Sequence, residues 1–485
     1  MKYNYAIILN ILGILWMLNG VFMFFCLPFS VYFAEGDLIA ISVSGGITIT
    51  TGFLLWLFTR NSKSKELRKR EGYLVVASGW LTMSFFGSLP YIFSGAIPDL
   101  TNAFFETLSG YSTTGATILT DIESVHKGIL FWRSLTQWIG GMGIIVLTVA
   151  ILPILGIGGM QLFVAEAPGI SPDKLQPRIK ETAKRLWLIY MGLTVAETGL
   201  LCVGGMNFYD AINHGLTTMA TGGFSTKNAS IAHFSSPFIQ YVIILFMFLA
   251  GTNFTMTYFV LHGNFQKVFK NEEFRFYGGF CLFISLVVGF VIFGLGHDSF
   301  EKSMRDALFN VVSIITTTGY VTHDYTAWSS FLTILFFVMM FLGASAGSTA
   351  GGVKIVRHIV LIKNSILELK RQIHPSAVLP VRFNKKAVTQ DITFNILAFI
   401  MMYIAIFALG SVVIGTLGVD FMTAIGSVAT CLGNVGPGLG SVGPVDNFAH
   451  LPGAAKWILA FLMLLGRLEL FTVLILFTPY FWRKI

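Results

Sequence analysis

A chain of 485 residues with 54% hydrophobic and 12% charged side chains has a mean hydropathy of +0.74. A soluble domain carries roughly twice that charge, and apolar runs of ~20 residues recur along the whole length, so the chain reads as a polytopic helical membrane protein. The net charge of +8 is not a nucleic-acid signature, because it sits in the segments between apolar runs.

In chain order, the first apolar run follows Met1–Lys2 but lacks a small-residue cleavage site and is followed at once by a second span. It therefore reads as retained rather than as a signal peptide. Residues ~5–34 and ~38–59 form an N-terminal hairpin, closed by the basic run RNSKSKELRKR. The organisation expected is this hairpin with its basic loop (1–71), then four modules at 72–182, 183–272, 273–386 and 387–485. Each module holds an outward span, a half-length segment and a returning span. The fold class is all-α, with four pseudo-symmetric span–half-helix–span modules around a central pore. Of 32 Lys and Arg, 25 fall on one side of this arrangement. Positive-inside bias makes that side cytoplasmic and places both termini there. The other side holds twelve acids, among them Glu35, Asp37, Asp210, Asp306 and Asp420, enough for an acidic vestibule that concentrates cations.

The half-length segments share a pattern. They read AFFETLSGYSTTG from Ala103, AINHGLTTMATGG from Ala211, ALFNVVSIITTTG from Ala307 and AIGSVATCLGNVG from Ala424, each with its last glycine twelve residues after the alanine. Such self-similarity marks a repeated structural unit. A dozen residues cannot cross a bilayer as a helix. A short helix entering from outside, N-capped by Asn102, Asp210, Asp306 or Thr423, would end near the midplane with its carbonyls inward, where the dipole favours a cation. The turns that follow are Thr113-Thr114-Gly115, Thr221-Gly222-Gly223, Thr317-Thr318-Gly319 and Asn434-Val435-Gly436. Irregular backbone at that depth must be buried in protein or line water. No acid lies in these turns, so the chemistry available is that of a carbonyl filter for potassium rather than a carboxylate ring. Asn434 and Val435 depart from the Thr/Gly pattern of the others. Gly140-Gly141-Met142-Gly143, by contrast, reads as helix packing.

The returning span of the third module is interrupted by GASAGSTAGG (Gly343 to Gly352). Four glycines, Gly343, Gly347, Gly351 and Gly352, disfavour helix by about 1 kcal/mol each, so an unwound loop beneath the filter is expected. GSTAGGVK lacks the Gly-Lys-Ser/Thr of a phosphate-binding loop. Arg467 falls near the centre of the last span. It is expected either to pair with Glu106 or Glu197, or to sit in the pathway, repelling cations and bonding carbonyls of the Gly343–Gly352 loop. The four cysteines and nine histidines show no metal spacing, and His214 reads as structural. No nucleophile–base pair points to an enzyme.

Taken together these motifs resemble the Trk/Ktr/HKT superfamily of potassium transporters, specifically its TrkH/TrkG-type uptake subunits. The resemblance rests on Gly115, Gly223, Gly319 and Gly436, the small-residue break in module three, Arg467, and the two extra N-terminal spans. It implies a channel-like potassium uptake transporter of the bacterial inner membrane and a homodimer with one pore per subunit. It also implies a cytosolic TrkA-type regulatory ring, with nucleotide (ATP/ADP or NAD) on that ring and no cofactor on this chain. Gly115 at the first filter position implies potassium rather than sodium. The alternative is a secondary symporter coupling potassium to sodium or protons, for which Glu106 and Glu197 are the candidate titrating groups.

Overall fold

The computed structural model describes residues 4–60, 67–143, 179–296, 299–374, 377 and 379–483. The closing run of the N-terminal hairpin, the end of the first returning span and most of the 166–186 basic loop lie partly or wholly outside these residues. Six described helices are long and apolar enough to cross a membrane, and two bent pairs could each make one more crossing. The chain is thus an all-α polytopic membrane protein, as expected. Among the described residues the one β element is a two-stranded hairpin, Arg382–Phe383 with Lys386–Ala387. Its turn residues Asn384 and Lys385 both take positive φ, as a two-residue hairpin turn requires. It was not foreseen, because strands of two residues carry no periodicity.

The N-terminal hairpin pairs helices Tyr5–Phe24 and Leu38–Thr59 at backbone contact. A Cβ on Gly13 would lie 2.7 Å from the Gly52 carbonyl oxygen, and one on Gly52 2.6 Å from that of Gly13. Small residues at such a seam let dispersion contacts replace the hydrophobic drive that lipid cannot supply. The hairpin also braces the first module. Trp16 Nε1 donates to Thr82 Oγ1, and Tyr111, the last residue of the first half-length helix, donates to Asn19 Oδ1 at 2.5 Å.

The half-length helices are Leu100–Tyr111, Phe208–Met219, Phe300–Ile315 and Phe421–Gly433. Each follows an outward helix: Lys69–Gly87 with Leu89–Phe93, Ile179–Val203, Glu272–Gly294 and Gln390–Thr416. Their N-caps are Asp99, Asn207, Ser299 and Asp420, whose side chains accept an amide three residues on. The caps expected from sequence were placed too late. Asn102, Asp210 and Thr423 supply the amide that the true cap receives, and Asp306 lies inside its helix. The hydrogen bonds from Thr423 hold the exposed Asp420 carboxyl below its usual range. Asp37, Asp210 and Asp306 are buried, so the acidic vestibule is built from fewer than the twelve acids on that side.

Three of the returning helices are interrupted, and the first ends early among the described residues. Lys127–Gly141 stops at Met142, and Ser330–Met339 stops before the Gly343–Gly352 segment, after which Ile355–Ile373 begins. Pro237–Ala250 meets Phe254–Leu261 at 111°, and Gly453–Arg467 meets Phe471–Phe477 at 111°. Sequence pointed to the third break alone; the glycines at 140, 141 and 143 read as helix packing although the first returning helix ends among them. Replacing Gly52 by leucine should separate the N-terminal helices and lower the unfolding free energy by about 1–3 kcal/mol, the usual cost of overpacking. Thermal unfolding in detergent would register the loss; an unchanged midpoint would contradict the packing described.

Candidate functional site: a ring of four re-entrant turns

Each half-length helix ends in the same hydrogen-bonded motif. The first turn residue adopts left-handed backbone: Thr113 (φ 55), Thr221 (φ 52), Thr317 (φ 56) and Asn434 (φ 54). Its amide bonds three residues back. The next amide bonds five back: Thr114 to Ser109, Gly222 to Thr217, Thr318 to Ser313 and Val435 to Thr430, all at 2.8–2.9 Å. This is a Schellman cap, which satisfies helix-end carbonyls that lipid could not. Such caps normally use glycine or asparagine. Threonine is β-branched and strained there, by roughly 1–3 kcal/mol each. Three strained threonines at one level mark the turns as the special feature of the fold.

Two residues further on, Gly115, Gly223, Gly319 and Gly436 have φ of 81, 75, 80 and 103°. Each faces the carbonyl of the next module. A Cβ on Gly115 would lie 2.2 Å from Gly222 O, on Gly223 1.9 Å from Thr318 O, on Gly319 2.1 Å from Val435 O, and on Gly436 2.7 Å from Thr114 O. The order runs from module one to two, three, four and back to one. Four sequence repeats therefore form one closed ring of backbone. No Cβ fits at any of the four glycines without moving a main-chain oxygen.

Gln137 and Arg133, which sequence did not single out, lock this ring together with Asn434 and Glu106, which it did. Gln137 Nε2 donates to Gly222 O at 2.6 Å, and its Oε1 accepts from Phe224 N at 3.1 Å. Asn434 Nδ2 donates to Thr114 Oγ1 at 3.0 Å and to Met463 O, tying turn four to turn one. Behind turns one and two, Arg133 Nε pairs with Glu106 at 2.7 Å, both groups buried. Arg133 also donates to Ser225 O and lies 3.5 Å over the Phe224 ring. Glu106 accepts further from Thr117 Oγ1 and Ile118 N. A buried pair is a poor source of net stability, but its geometry here is filled on both sides. The signal was a basic and an acidic residue in neighbouring apolar segments of module one; sequence spacing alone could not match them. His214 has both ring nitrogens engaged, by Asp210 O and Ser225 Oγ, which fits its structural reading.

The Gly343–Gly352 segment is non-helical and touches turns three and four at Thr317 and Asn434. Gly343 N donates to Val353 O at 2.8 Å, closing the loop on itself. Gly347 (φ 74) packs on Asn253, and its carbonyl accepts from Phe254 N. Gly351 N donates to Thr317 Oγ1 at 2.7 Å, and a Cβ on Gly351 would meet Asn434 at 2.6 Å. Gly352 (φ 65) stacks on Gly343. Glu273 Oε1 accepts from Ala346 N at 2.6 Å.

Arg467 ends its helix instead of sitting mid-span, because the chain turns there through left-handed Glu469 and Leu470. Its guanidinium donates to Thr349 O at 2.8 Å, to Gly140 O at 2.5 Å and to Gly141 O at 3.0 Å. The loop contact is the one expected. The contacts to Gly140 and Gly141 are new and give that glycine pair a role besides packing, although a Cβ on Gly140 would also strike Tyr111 O at 1.8 Å. Neither Glu106 nor Glu197 pairs with Arg467. Glu106 is taken by Arg133, and Glu469 pairs with Arg357. Among the described residues no group of three His, Cys, Asp or Glu could hold a metal ion.

A family model described as "TrkH: Cation transport protein" matches residues 39–484. The Trk system potassium uptake protein TrkH of Salmonella typhimurium is 43% identical over 90% of this chain and 91% of its own length. The TrkG protein of Escherichia coli is 33% identical over 94% of each. The chain belongs to the TrkH family. A crystal structure of the potassium transporter TrkH from Vibrio parahaemolyticus superposes with a TM-score of 0.89 at 36% identity, covering 99% of this chain and 100% of that one. The family relationship extends over both the N-terminal hairpin and the four modules, and its members are transporters, not enzymes.

Arg133→Met should leave Glu106 charged and unpaired and lower stability by about 3–5 kcal/mol. Denaturant unfolding in detergent is the check; a loss below 1 kcal/mol would contradict the bracing role.

Proposed function

We propose that this chain takes up potassium through the ring of four turns, passing the ion by diffusion down its electrochemical gradient. The closed ring of carbonyls facing Gly115, Gly223, Gly319 and Gly436 is the observation that carries this reading. In it the backbone oxygens of Thr113, Thr114, Gly115, Thr221, Gly222, Gly223, Thr317, Thr318, Gly319, Asn434, Val435 and Gly436 exchange for hydration water. The ring is not four-fold exact. The Gly222 oxygen already accepts from Gln137, leaving it one lone pair, and turn four carries Asn434 and Val435. The relatives named as potassium uptake proteins support the choice of ion. The membrane potential supplies about 2.3 kcal/mol per charge per 100 mV, so no chemical coupling is needed. Glu106 is held by Arg133, Thr117 and Ile118 and has no free valence for cycling a proton, which favours diffusion over symport.

In this reading the Gly343–Gly352 loop and Arg467 form the gate below the ring. A guanidinium there repels cations, and its bonds to Thr349, Gly140 and Gly141 tie the loop to modules one and four. The basic face then lies in the cytoplasm with both termini, and the protein sits in the bacterial inner membrane with 1–71 as a bracing hairpin beside the four modules. Helix Ile355–Ile373 exposes Ile362, Ile366, Leu369 and Ile373 at helical spacing. Such a stripe suits packing of a second copy in a homodimer and docking of a TrkA-type cytosolic ring, the subunit that would carry nucleotide.

The direct test is ion flux in vesicles with potassium, rubidium and sodium, with and without the regulatory partner. Gly115→Ser should lower the preference for potassium over sodium several-fold, since its Cβ displaces the Gly222 carbonyl; preserved selectivity would remove that turn from the coordination. Arg467→Ala should raise basal flux, by about tenfold if the guanidinium adds about 1.4 kcal/mol to the barrier. Unchanged flux in folded protein would count against the gate.

A further inference from the structure

Glu197 has no part in the function just described, yet it is fully buried within the helix Ile179–Val203. Neither of its carboxyl oxygens has a hydrogen-bond partner, and among the described residues no cation pairs with it. Its helix packs on the second half-length helix, where a Cβ on Gly215 would lie 2.4 Å from Thr198 Oγ1. One turn further along that helix, Thr218 is the polar group beside the carboxyl.

The hydroxyl protons around it are already assigned. Thr218 donates to His214 O at 2.7 Å, and Thr217 donates to Asn213 O at 3.0 Å. Tyr320 OH sits 2.5 Å from Thr217 Oγ1 and 3.3 Å from His214 O. A threonine hydroxyl has one proton; Thr218 gives its own to His214 O, at 2.7 Å a shorter contact than the 3.4 Å to Tyr320 OH, and is left to accept from Glu197. A carboxylate also only accepts, and an unpaired buried charge is the costliest group a bilayer interior can hold.

The other ionisable groups on the packed elements are committed elsewhere. Asp210 is bonded to Asn207 and Thr226 with Lys227 at 4.0 Å, and His214 to Asp210 O and Ser225. Arg133 is held by Glu106, Tyr241 by Glu301, and Tyr258 by Arg185.

We propose that Glu197 is a permanently protonated carboxylic acid and a positioning residue for turns two and three. Its O–H donates to Thr218, three residues before the left-handed Thr221, and through Thr218 and Thr217 it steadies Tyr320, the residue after Gly319. The proton is structural; it does not travel with the ion. The effect on selectivity rests on the potassium reading above, but the protonation does not.

The experiment pairs infrared spectroscopy with vesicle flux on the full-length protein. Near neutral pH the wild type should show a buried protonated-carboxyl band that E197Q lacks, whatever ion the protein passes. E197Q, whose amide also donates, should keep wild-type flux and potassium-over-sodium preference. E197L should lower that preference by up to about tenfold, the worth of one buried hydrogen bond. Absence of the band from the wild type would overturn the protonation. E197Q as impaired as E197L, or E197L as selective as wild type, would overturn the positioning role. Should E197L not fold, the band and E197Q flux still decide the matter.

Discussion

A chain that stops being helical inside a bilayer frees carbonyls and amides that lipid cannot satisfy, and everything distinctive in this structure answers that constraint. The first answer is local. Each half-length helix closes on itself through paired bonds three and five residues back, at the expense of left-handed threonine in three turns. The second is collective. Each glycine two residues later takes up the close approach of a neighbouring module's carbonyl, so that four separate helix ends make one ring. Neither works alone: without the ring the strained threonines have no reason to exist, and without the caps the ring has no fixed edges.

The rest of the molecule braces that ring from behind and packs against it from the loop side. Arg133 and Glu106 fill the space behind turns one and two, Gln137 clamps turn two by both ends of its amide, and Asn434 links turn four to turn one. The N-terminal hairpin reaches the same layer through Asn19 and Tyr111. Below, the small-residue loop bonds to Thr317 and to Arg467, so the element proposed to move is in direct contact with the turns it would close.

Much of this was legible in the sequence because it is repetitive. Four alanine-to-glycine intervals of equal length gave the half-length helices and their turns, and four glycines in ten residues gave the unwound loop. What was not legible is long-range. The pairing of Glu106 with Arg133, rather than with Arg467, depends on which helices become neighbours. The breaks at Thr252 and at Glu469 have no glycine or proline cluster to announce them; they are imposed by the loop and by Arg467 finding carbonyl partners. The N-caps were misplaced because several residues of capping type precede each shared alanine, and only the backbone angle separates Asp99 from Asn102 or Asp420 from Thr423. The Lys-bearing β-turn at Asn384–Lys385 left no pattern at all.

The central claim is that uncharged main-chain oxygens from all four modules share one cation. Anomalous diffraction from crystals grown in rubidium tests it most directly. The account predicts density on the axis enclosed by Gly115, Gly223, Gly319 and Gly436, at similar distances from all four turns. Rubidium found only beside carboxylates, with none inside the ring, would contradict it.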